Sequence, residues 1–240
     1  ASIEDTYFVL KKLVEELVKK RIIPVVIGGS QDLTYAMYRA YDNLDQMVNL
    51  VSVDNQFDFS KENKLDKDAY LSKIIVEEPN NLFNFSNLGY QTYFNSQEEI
   101  DLIEKLYFDC FRLGEVSASP AIAEPVFRDC DLVSLDLTAV KSSDSGNFNI
   151  FTPNGFNGEE SCTLMQYAGM SWKTSTIGLF GYQAELDVNN MTAIQIAQMF
   201  WYIMDGLQKG KKEAPLTESD RFKEFHIAFS DIETNFLQSK

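Results

Sequence analysis

The chain has 240 residues, of which 36 are acidic and 21 are basic, and its formal net charge at neutral pH is -15. A surface this acidic repels phosphate backbones and anionic lipids, so the composition argues against nucleic acids and membrane surfaces as partners. The sequence contains 1 histidine. This excludes any centre that needs two imidazole ligands, as most zinc hydrolase sites and most mixed-ligand binuclear manganese sites do.

Hydrophobic residues make up 45% of the chain and charged residues 24%, which is typical of a globular protein. No stretch approaches the roughly 20 apolar residues of a membrane span, and the N-terminus lacks the basic and apolar regions of a secretory signal. Cys110, Cys130 and Cys162 are widely spaced and form no CxxC pair, which favours reduced thiols in the core. We therefore predict a cytoplasmic protein.

Hydrophobic periodicity divides the chain into alternating helices and strands. Residues 10–18 have helical spacing, and the basic residues 19–21 after them favour a helix C-terminus. Short apolar runs typical of buried strands follow at residues 24–27, 48–53, 131–137, 174–182 and 225–232. Helical patterns separate them at residues 33–41, 98–108, 159–168 and 191–207. The alternation predicts an α/β fold, a three-layer doubly wound sheet that is mostly parallel, in a single domain over residues 1–240.

Polar and acidic residues follow several of these strands, at residues 28–32, 54–58, 136–138 and 231–233. Because ligand sites in such sheets lie beyond the carboxyl ends of the strands, we expect these side chains to converge on one crevice. Carboxylates held together there need a cation or raised pKa values, since like charges in a low dielectric do not all stay ionised. The simpler alternative is that each residue only caps a helix or a turn. That alternative explains any single residue better than it explains the whole set.

These segments resemble the ureohydrolase superfamily, which comprises arginase, agmatinase and formimidoylglutamase. The family motifs are Gly-Gly-Asp-His, Asp-Ala-His-x-Asp and Ser-x-Asp-x-Asp-x-x-Asp-Pro. Here they stand as GGSQ at residues 28–31, DNQFD at 54–58 and SLDLTAVKS at 134–142. The resemblance covers most of residues 23–235, and residues 89–94 and 112–114 are most similar to formimidoylglutamase-like members. It implies an arginase-like fold. The chain opens with a helix, whereas family members begin with a strand and a substrate loop, so we expect either that this form lacks the N-terminal strand or that the strand lies outside this sequence.

In the family, two histidines and four aspartates hold two manganese ions, which activate a bridging water to attack a guanidinium or formimino carbon. The resemblance implies that three of the aspartates are retained here, namely Asp54, Asp58 and Asp136. The other three ligand positions are replaced, by Gln31, Gln56 and Thr138. Three carboxylates do not balance the charge of two divalent ions, so we do not expect a binuclear manganese centre.

Two other states of this site remain open. The three carboxylates, with amide oxygens from Gln31 and Gln56, could hold one hard cation such as magnesium or calcium. Alternatively Lys141, which stands where the family has another aspartate, could neutralise a carboxylate without any metal.

Two residues near the end of the sequence are further candidates. His226 matches no ligand position of the family and is most simply a packed residue or a strand-edge residue. Glu233 resembles the glutamate that pairs with the substrate guanidinium in arginases, and a carboxylate suits a planar cation. We therefore predict that Glu233 binds substrate, with an ordinary turn or helix position as the alternative.

We hypothesise that the chain is an arginase- or formimidoylglutamase-related protein that has lost its binuclear manganese centre and is a catalytically inactive binding or assembly protein. The alternative is an enzyme that hydrolyses linear amidine bonds of a guanidino or formimino compound with one hard cation. The resemblance also implies a homo-oligomer. The sequence lacks a P-loop, a dinucleotide fingerprint and a nucleophile elbow with a matching base.

Overall fold

The computed structural model describes residues 2–59, 69–146 and 152–210, together with the backbone of residues 222–229 and 232–239. The chain forms two compact units, which divide after Gly210. The single domain predicted over residues 1–240 stays a prediction.

The first unit is built on a six-stranded sheet whose strands are all parallel. The strands are β1 (Val25–Ile27), β2 (Val48–Val53), β3 (Leu82–Tyr90), β4 (Asp109–Arg112), β5 (Leu132–Asp136) and β6 (Thr176–Phe180). Their order across the sheet is β1-β6-β5-β2-β3-β4. The predicted α/β fold is confirmed.

Helices connect the strands. They are α1 (Ile3–Lys19), α2 (Leu33–Arg39), α3 (Tyr70–Val76), α4 (Gln97–Lys105), α5 (Leu113–Ala118), α6 (Ala123–Arg128), α7 (Ser142–Ser145), α8 (Gly158–Met170) and α9 (Met191–Lys209). The helix predicted at residues 10–18 is α1, which begins earlier than expected, at Ile3. Ser2 and Asp5 form a capping box that fixes its first turn. In the part of the chain that the structure describes, no helix is both long and apolar enough to cross a membrane.

Two hydrophobic clusters, one on each face of the sheet, make the fold three-layered. Along β2, Leu50 belongs to one cluster and the next residue, Val51, to the other, as the alternation of side chains in a strand requires. The cluster that contains Leu50 includes residues of α1, α2, α3 and α4. The cluster that contains Val51 includes residues of α5, α6, α8 and α9. Burial on both faces explains why the central strands are continuous apolar runs.

Four of the predicted strands are confirmed as β1, β2, β5 and β6, whereas β3 and β4 were not predicted. β3 was missed because Asn84, Ser86 and Asn87 interrupt its apolar pattern. These polar side chains find partners within the sheet region. The Asn87 amide donates to the backbone oxygen of Gln56 at 3.0 Å, and the Asn84 amide donates to Asp109 Oδ2 at 3.0 Å.

The second unit contains a hairpin of two antiparallel strands, β7 (Phe222–Phe229) and β8 (Ile232–Ser239). The prediction that residues 225–232 form one strand of the parallel sheet is therefore wrong. The apolar run extends from β7 to the first residue of β8, and a short apolar run does not by itself reveal a chain reversal. His226 lies in β7, where it pairs with Asn235 of β8.

Candidate functional site

The predicted site residues of the first unit lie at one edge of the sheet. Gln31 follows β1, Asp54 follows β2, and Asp136 is the last residue of β5. Because β6 lies between β1 and β5, and β5 pairs with β2, the carboxyl ends of these strands are neighbours. The expectation that ligand-type residues gather at this edge agrees with this strand order.

Thr138 links the two buried aspartates of this edge. Its backbone N–H donates to Asp136 Oδ1 at 2.7 Å, and its hydroxyl donates to Asp54 Oδ1 at 3.4 Å. Asp54 Oδ1 also accepts the backbone N–H of Gln56 at 3.2 Å. A further hydrogen bond joins Asp54 to Asp58. Asp54, Asp58 and Asp136 thus form one hydrogen-bonded group, which we call the carboxylate cluster.

The electrostatics of the carboxylate cluster favour the neutral form of one member. Burial, and next the charge of Asp136, raise the pKa of Asp54 to about 8. Tyr70 lies close by and is fully buried. Burial and the charges of Asp58 and Asp54 raise the pKa of the Tyr70 phenol well above its ordinary value. Tyr70 therefore keeps its proton and donates it to Ser52 Oγ at 3.3 Å. Sequence reasoning did not identify this residue.

Gln31 is turned toward a layer of hydroxyl groups below the carboxylate cluster. Its amide nitrogen donates to Ser52 Oγ at 3.2 Å and to Ser134 Oγ at 3.1 Å. Ser52 precedes Asp54 by two residues on β2, and Ser134 precedes Asp136 by two residues on β5, so both serines share a strand face with these aspartates. The amide nitrogen of Gln31 thus bonds to the two serines and not to the carboxylates, which lie two residues further along each chain segment.

The loop after β2 is held in place by side-chain amides. The Asn55 amide donates to the backbone oxygen of Thr138 at 3.0 Å, which ties the ends of β2 and β5 together. The Asn95 amide donates to the backbone oxygen of Asn55 at 3.1 Å, and Asn95 Oδ1 accepts the backbone N–H of Phe57 at 2.9 Å. Gln56 is half-buried. Its backbone N–H donates to Asp54, and its backbone oxygen accepts the Asn87 amide.

The end of β6 carries no side chain toward the cluster. Gly181 follows this strand with a φ of +84°, and a Cβ atom at this position would lie 3.2 Å from Asp136 Oδ1. A glycine thus lies next to Asp136 at the end of β6. The pattern of side chains in the sequence gives no sign of this contact.

Two other predicted residues are placed differently. Lys141 lines a pocket beside Tyr90 and Arg112, and within the described ranges it forms no ion pair with the carboxylate cluster. The suggested neutralisation of a carboxylate by Lys141 thus finds no support in these contacts. Glu233 lies in β8, and its side chain is outside the described residues.

The sequence profile of the arginase family matches residues 2–206, which include the whole carboxylate cluster. The chain belongs to the arginase family. Glu233 lies beyond the matched residues, so its assignment to substrate binding stays a prediction.

Solved structures of arginase-family enzymes share the fold of this family member. Formimidoylglutamase from Bacillus subtilis is 16% identical, with a TM-score of 0.78 over 88% of this chain and 70% of that one. Formiminoglutamase from Trypanosoma cruzi, solved with manganese, is 17% identical, with a TM-score of 0.79 over 88% and 74%. Arginase from Bacillus caldovelox is 15% identical, with a TM-score of 0.71 over 89% and 77%. No curated protein sequence matches the chain significantly.

Proposed function

We propose that this arginase-family chain does not operate a binuclear manganese centre and serves as a catalytically inactive binding or assembly protein. The observation that carries the proposal is the position of Thr138, which donates its N–H to Asp136 and its hydroxyl to Asp54. A metal ion needs the lone pairs of the surrounding oxygens, whereas Thr138 directs a hydrogen atom at one oxygen of each carboxylate. Asp54 Oδ1 and Asp136 Oδ1 therefore each accept an internal donor that competes with a metal ion.

The donor set supports the same proposal. Manganese sites with mixed ligands use imidazole nitrogens beside carboxylates, and the one histidine of this chain lies in the hairpin. Three carboxylates supply too little negative charge for two divalent ions, and the hydroxyl of Thr138 adds none. The residues present therefore do not fit a binuclear manganese centre.

Manganese binding and turnover test the proposal together. The full chain is loaded with manganese chloride, desalted and analysed for bound metal. It is also assayed for urea released from guanidino compounds and for formamide released from formiminoglutamate. We expect clearly fewer than two bound manganese ions per chain and no product above the protein-free rate.

A variant that restores the family ligands is the matched control for this experiment. Combining Gln31→His, Gln56→His and Thr138→Asp adds two nitrogen ligands and one carboxylate at the replaced positions, so it should raise manganese occupancy. If the unmodified chain retains two manganese ions and releases urea or formamide, the proposal is wrong.

The convergence of three carboxylates favours a second candidate, a hydrolase of linear amidine bonds that uses one hard cation. Asp54, Asp58 and Asp136 lie in one cluster, and oxygen-only ligands suit magnesium or calcium. Calorimetric titration of the metal-free chain with magnesium and with calcium tests this candidate. Binding that is lost in Asp54→Asn, together with amidine hydrolysis that needs the same cation, would favour it over the inactive protein. Homo-oligomer formation, and a guanidino or formimino ligand, remain predictions.

A further inference from the structure

A pocket of about 410 Å³ lies beside the carboxyl ends of β3 and β4. Tyr90, the last residue of β3, and Arg112, the last residue of β4, face each other in register and both line it. Lys141 and Asn154 also line it. None of the three aspartates of the carboxylate cluster lines this pocket, which we call the Arg112 pocket.

Positive charge is concentrated in the Arg112 pocket. Arg112, Lys141 and Glu160 are its charged lining residues, so its formal charge is two minus one, or +1, in a chain whose net charge is -15. Neither cation forms an ion pair with a carboxylate among the described residues. Glu160 accepts the backbone N–H of Asn157 at 2.7 Å, as part of the cap of α8. Within the described ranges, an incoming anion would thus have no ion pair of either cation to displace.

Arg112 is held in position by Tyr90. Its Nε donates to the Tyr90 hydroxyl at 3.1 Å, and its guanidinium carbon lies 6.0 Å from the centre of the Tyr90 ring. These contacts engage one edge of the guanidinium, and the Nη atoms are at the other end of the group. A guanidinium oriented in this way can bind a carboxylate through two parallel hydrogen bonds.

The polar wall of the pocket is ordered before any ligand arrives. The Gln91 amide donates to the backbone oxygen of Asn154 at 3.1 Å, and the Asn154 amide donates to Gln91 Oε1 at 3.0 Å. Tyr93 also donates its hydroxyl to Gln91 Oε1. Gln91, which takes part in all three bonds, is buried, whereas Tyr93 is 66% exposed, so the network is anchored at its buried end. A wall fixed in advance lowers the entropy lost on binding.

We propose that the Arg112 pocket binds a small organic carboxylate, with Arg112 as the anchor and Lys141 as the second positive charge. A pocket of this volume is within the usual range for metabolite-sized ligands. Its charge of +1 matches a singly charged carboxylate better than a phosphate dianion, which Glu160 would repel. The tyrosines beside the cations provide contact surface for the organic part of the ligand. The proposal does not depend on the state of the carboxylate cluster.

Calorimetric titration of the full chain tests the proposal, with the singly charged carboxylates acetate, propionate and benzoate as probes at constant ionic strength. Benzamide is the uncharged counterpart of benzoate, and inorganic phosphate is the non-carboxylate anion. We expect at least one carboxylate to bind in the millimolar range or better, and benzamide and phosphate to bind at least about ten-fold more weakly.

Variants locate the binding. Arg112→Gln and Lys141→Gln should each weaken carboxylate binding by about ten-fold to a hundred-fold, the usual loss for one charged hydrogen bond. Gly114→Leu changes no charge but should also weaken it, because Gly114 lines the pocket and a Cβ there meets no atom within 4 Å. Arg128→Gln, which removes an exposed positive charge on α6, is the matched control and should bind normally.

Several outcomes would overturn the proposal. One is that no carboxylate of the panel binds at millimolar concentration. Another is that phosphate binds as well as the carboxylates, which would mean that the pocket selects charge alone. A third is that Arg112→Gln and Gly114→Leu both bind normally while circular dichroism shows that they are folded, which would place the binding elsewhere.

Discussion

Replacing Gly169 with alanine should lower the free energy of unfolding by about 3 kcal/mol. Gly169 lies in α8, where it contacts α9, and a Cβ atom there would lie 2.2 Å from the backbone oxygen of Ile203. Backbone atoms cannot swing aside as a flexible side chain can, so the two helices would have to move apart. This loss exceeds the roughly 1 kcal/mol by which alanine favours a helix over glycine.

The same substitution at Gly114 is the matched control for Gly169→Ala. Gly114 is also helical, in α5, but a Cβ atom there meets nothing within 4 Å. Gly114→Ala should therefore be neutral or stabilising by up to about 1 kcal/mol. Urea denaturation followed by circular dichroism measures both variants. Equal stability of the two variants would contradict the close backbone contact between α8 and α9.

A similar contact at Gly206 shows why the sequence did not reveal this packing. A Cβ atom at Gly206 would lie 2.3 Å from the backbone oxygen of Gln166, so α8 and α9 approach through a glycine on each helix. Hydrophobic periodicity predicted both helices, because their apolar residues repeat with helical spacing. It gave no distance between them, because a glycine in a helical pattern looks only like a weak position.

Whether the sequence predicted a strand depended on how continuous the apolar pattern of that strand is. β2 and β5 are apolar runs covered on both faces, and the sequence predicted both. β3 also lies inside the sheet, but its asparagines interrupt the apolar pattern and make it resemble a loop. Their amide nitrogens bond to groups that are distant in sequence, which the local pattern does not show. The run at residues 225–232 failed for the opposite reason. It has a strand composition, but it ends one strand and begins the next in an antiparallel hairpin.

The sequence predicted which residues belong to the candidate site, but not the hydrogen bonds between them. Motif spacing placed Asp54 and Asp136 at strand ends, because parallel strands bring their carboxyl ends to one edge. It could not reveal that Thr138 donates to both of them, or that the Gln31 amide bonds to Ser134, a residue 103 positions away in sequence. Such contacts depend on side-chain rotamers and strand order, which a local pattern does not encode.

Replacing Asp54 with asparagine should stabilise the metal-free chain at neutral pH, by on the order of 3 kcal/mol. Asparagine has nearly the same shape and keeps an oxygen for the N–H of Gln56 and the hydroxyl of Thr138. Its amide hydrogens can donate to the carboxylate of Asp58. The substitution removes the free-energy cost of taking up a proton on folding, which Asp54 pays because burial and the charge of Asp136 disfavour its charged form.

The gain should depend on pH in a defined direction. The pKa of Asp54 is about 8 in the folded chain and 3.8 in its unperturbed state, so between these values the folded chain holds a proton that the unfolded chain has released. The stability contributed by protonated Asp54 is thus fully present below pH 3.8 and is lost as the pH rises toward 8. Urea denaturation of both proteins with a chelator should therefore show a small difference at pH 4 that grows toward pH 8.

A cation in the carboxylate cluster would reverse this result. Magnesium bound to Asp54 would stabilise the unmodified chain by mass action. It would stabilise the Asp54→Asn variant much less. Repeating the denaturation at pH 7.5 with magnesium in place of the chelator separates the two cases. If magnesium leaves Asp54→Asn the more stable protein, the cluster is held by shared protons and internal donors. If magnesium makes the unmodified chain the more stable one, the cluster is a single-cation site, and the hydrolase candidate gains over the inactive protein.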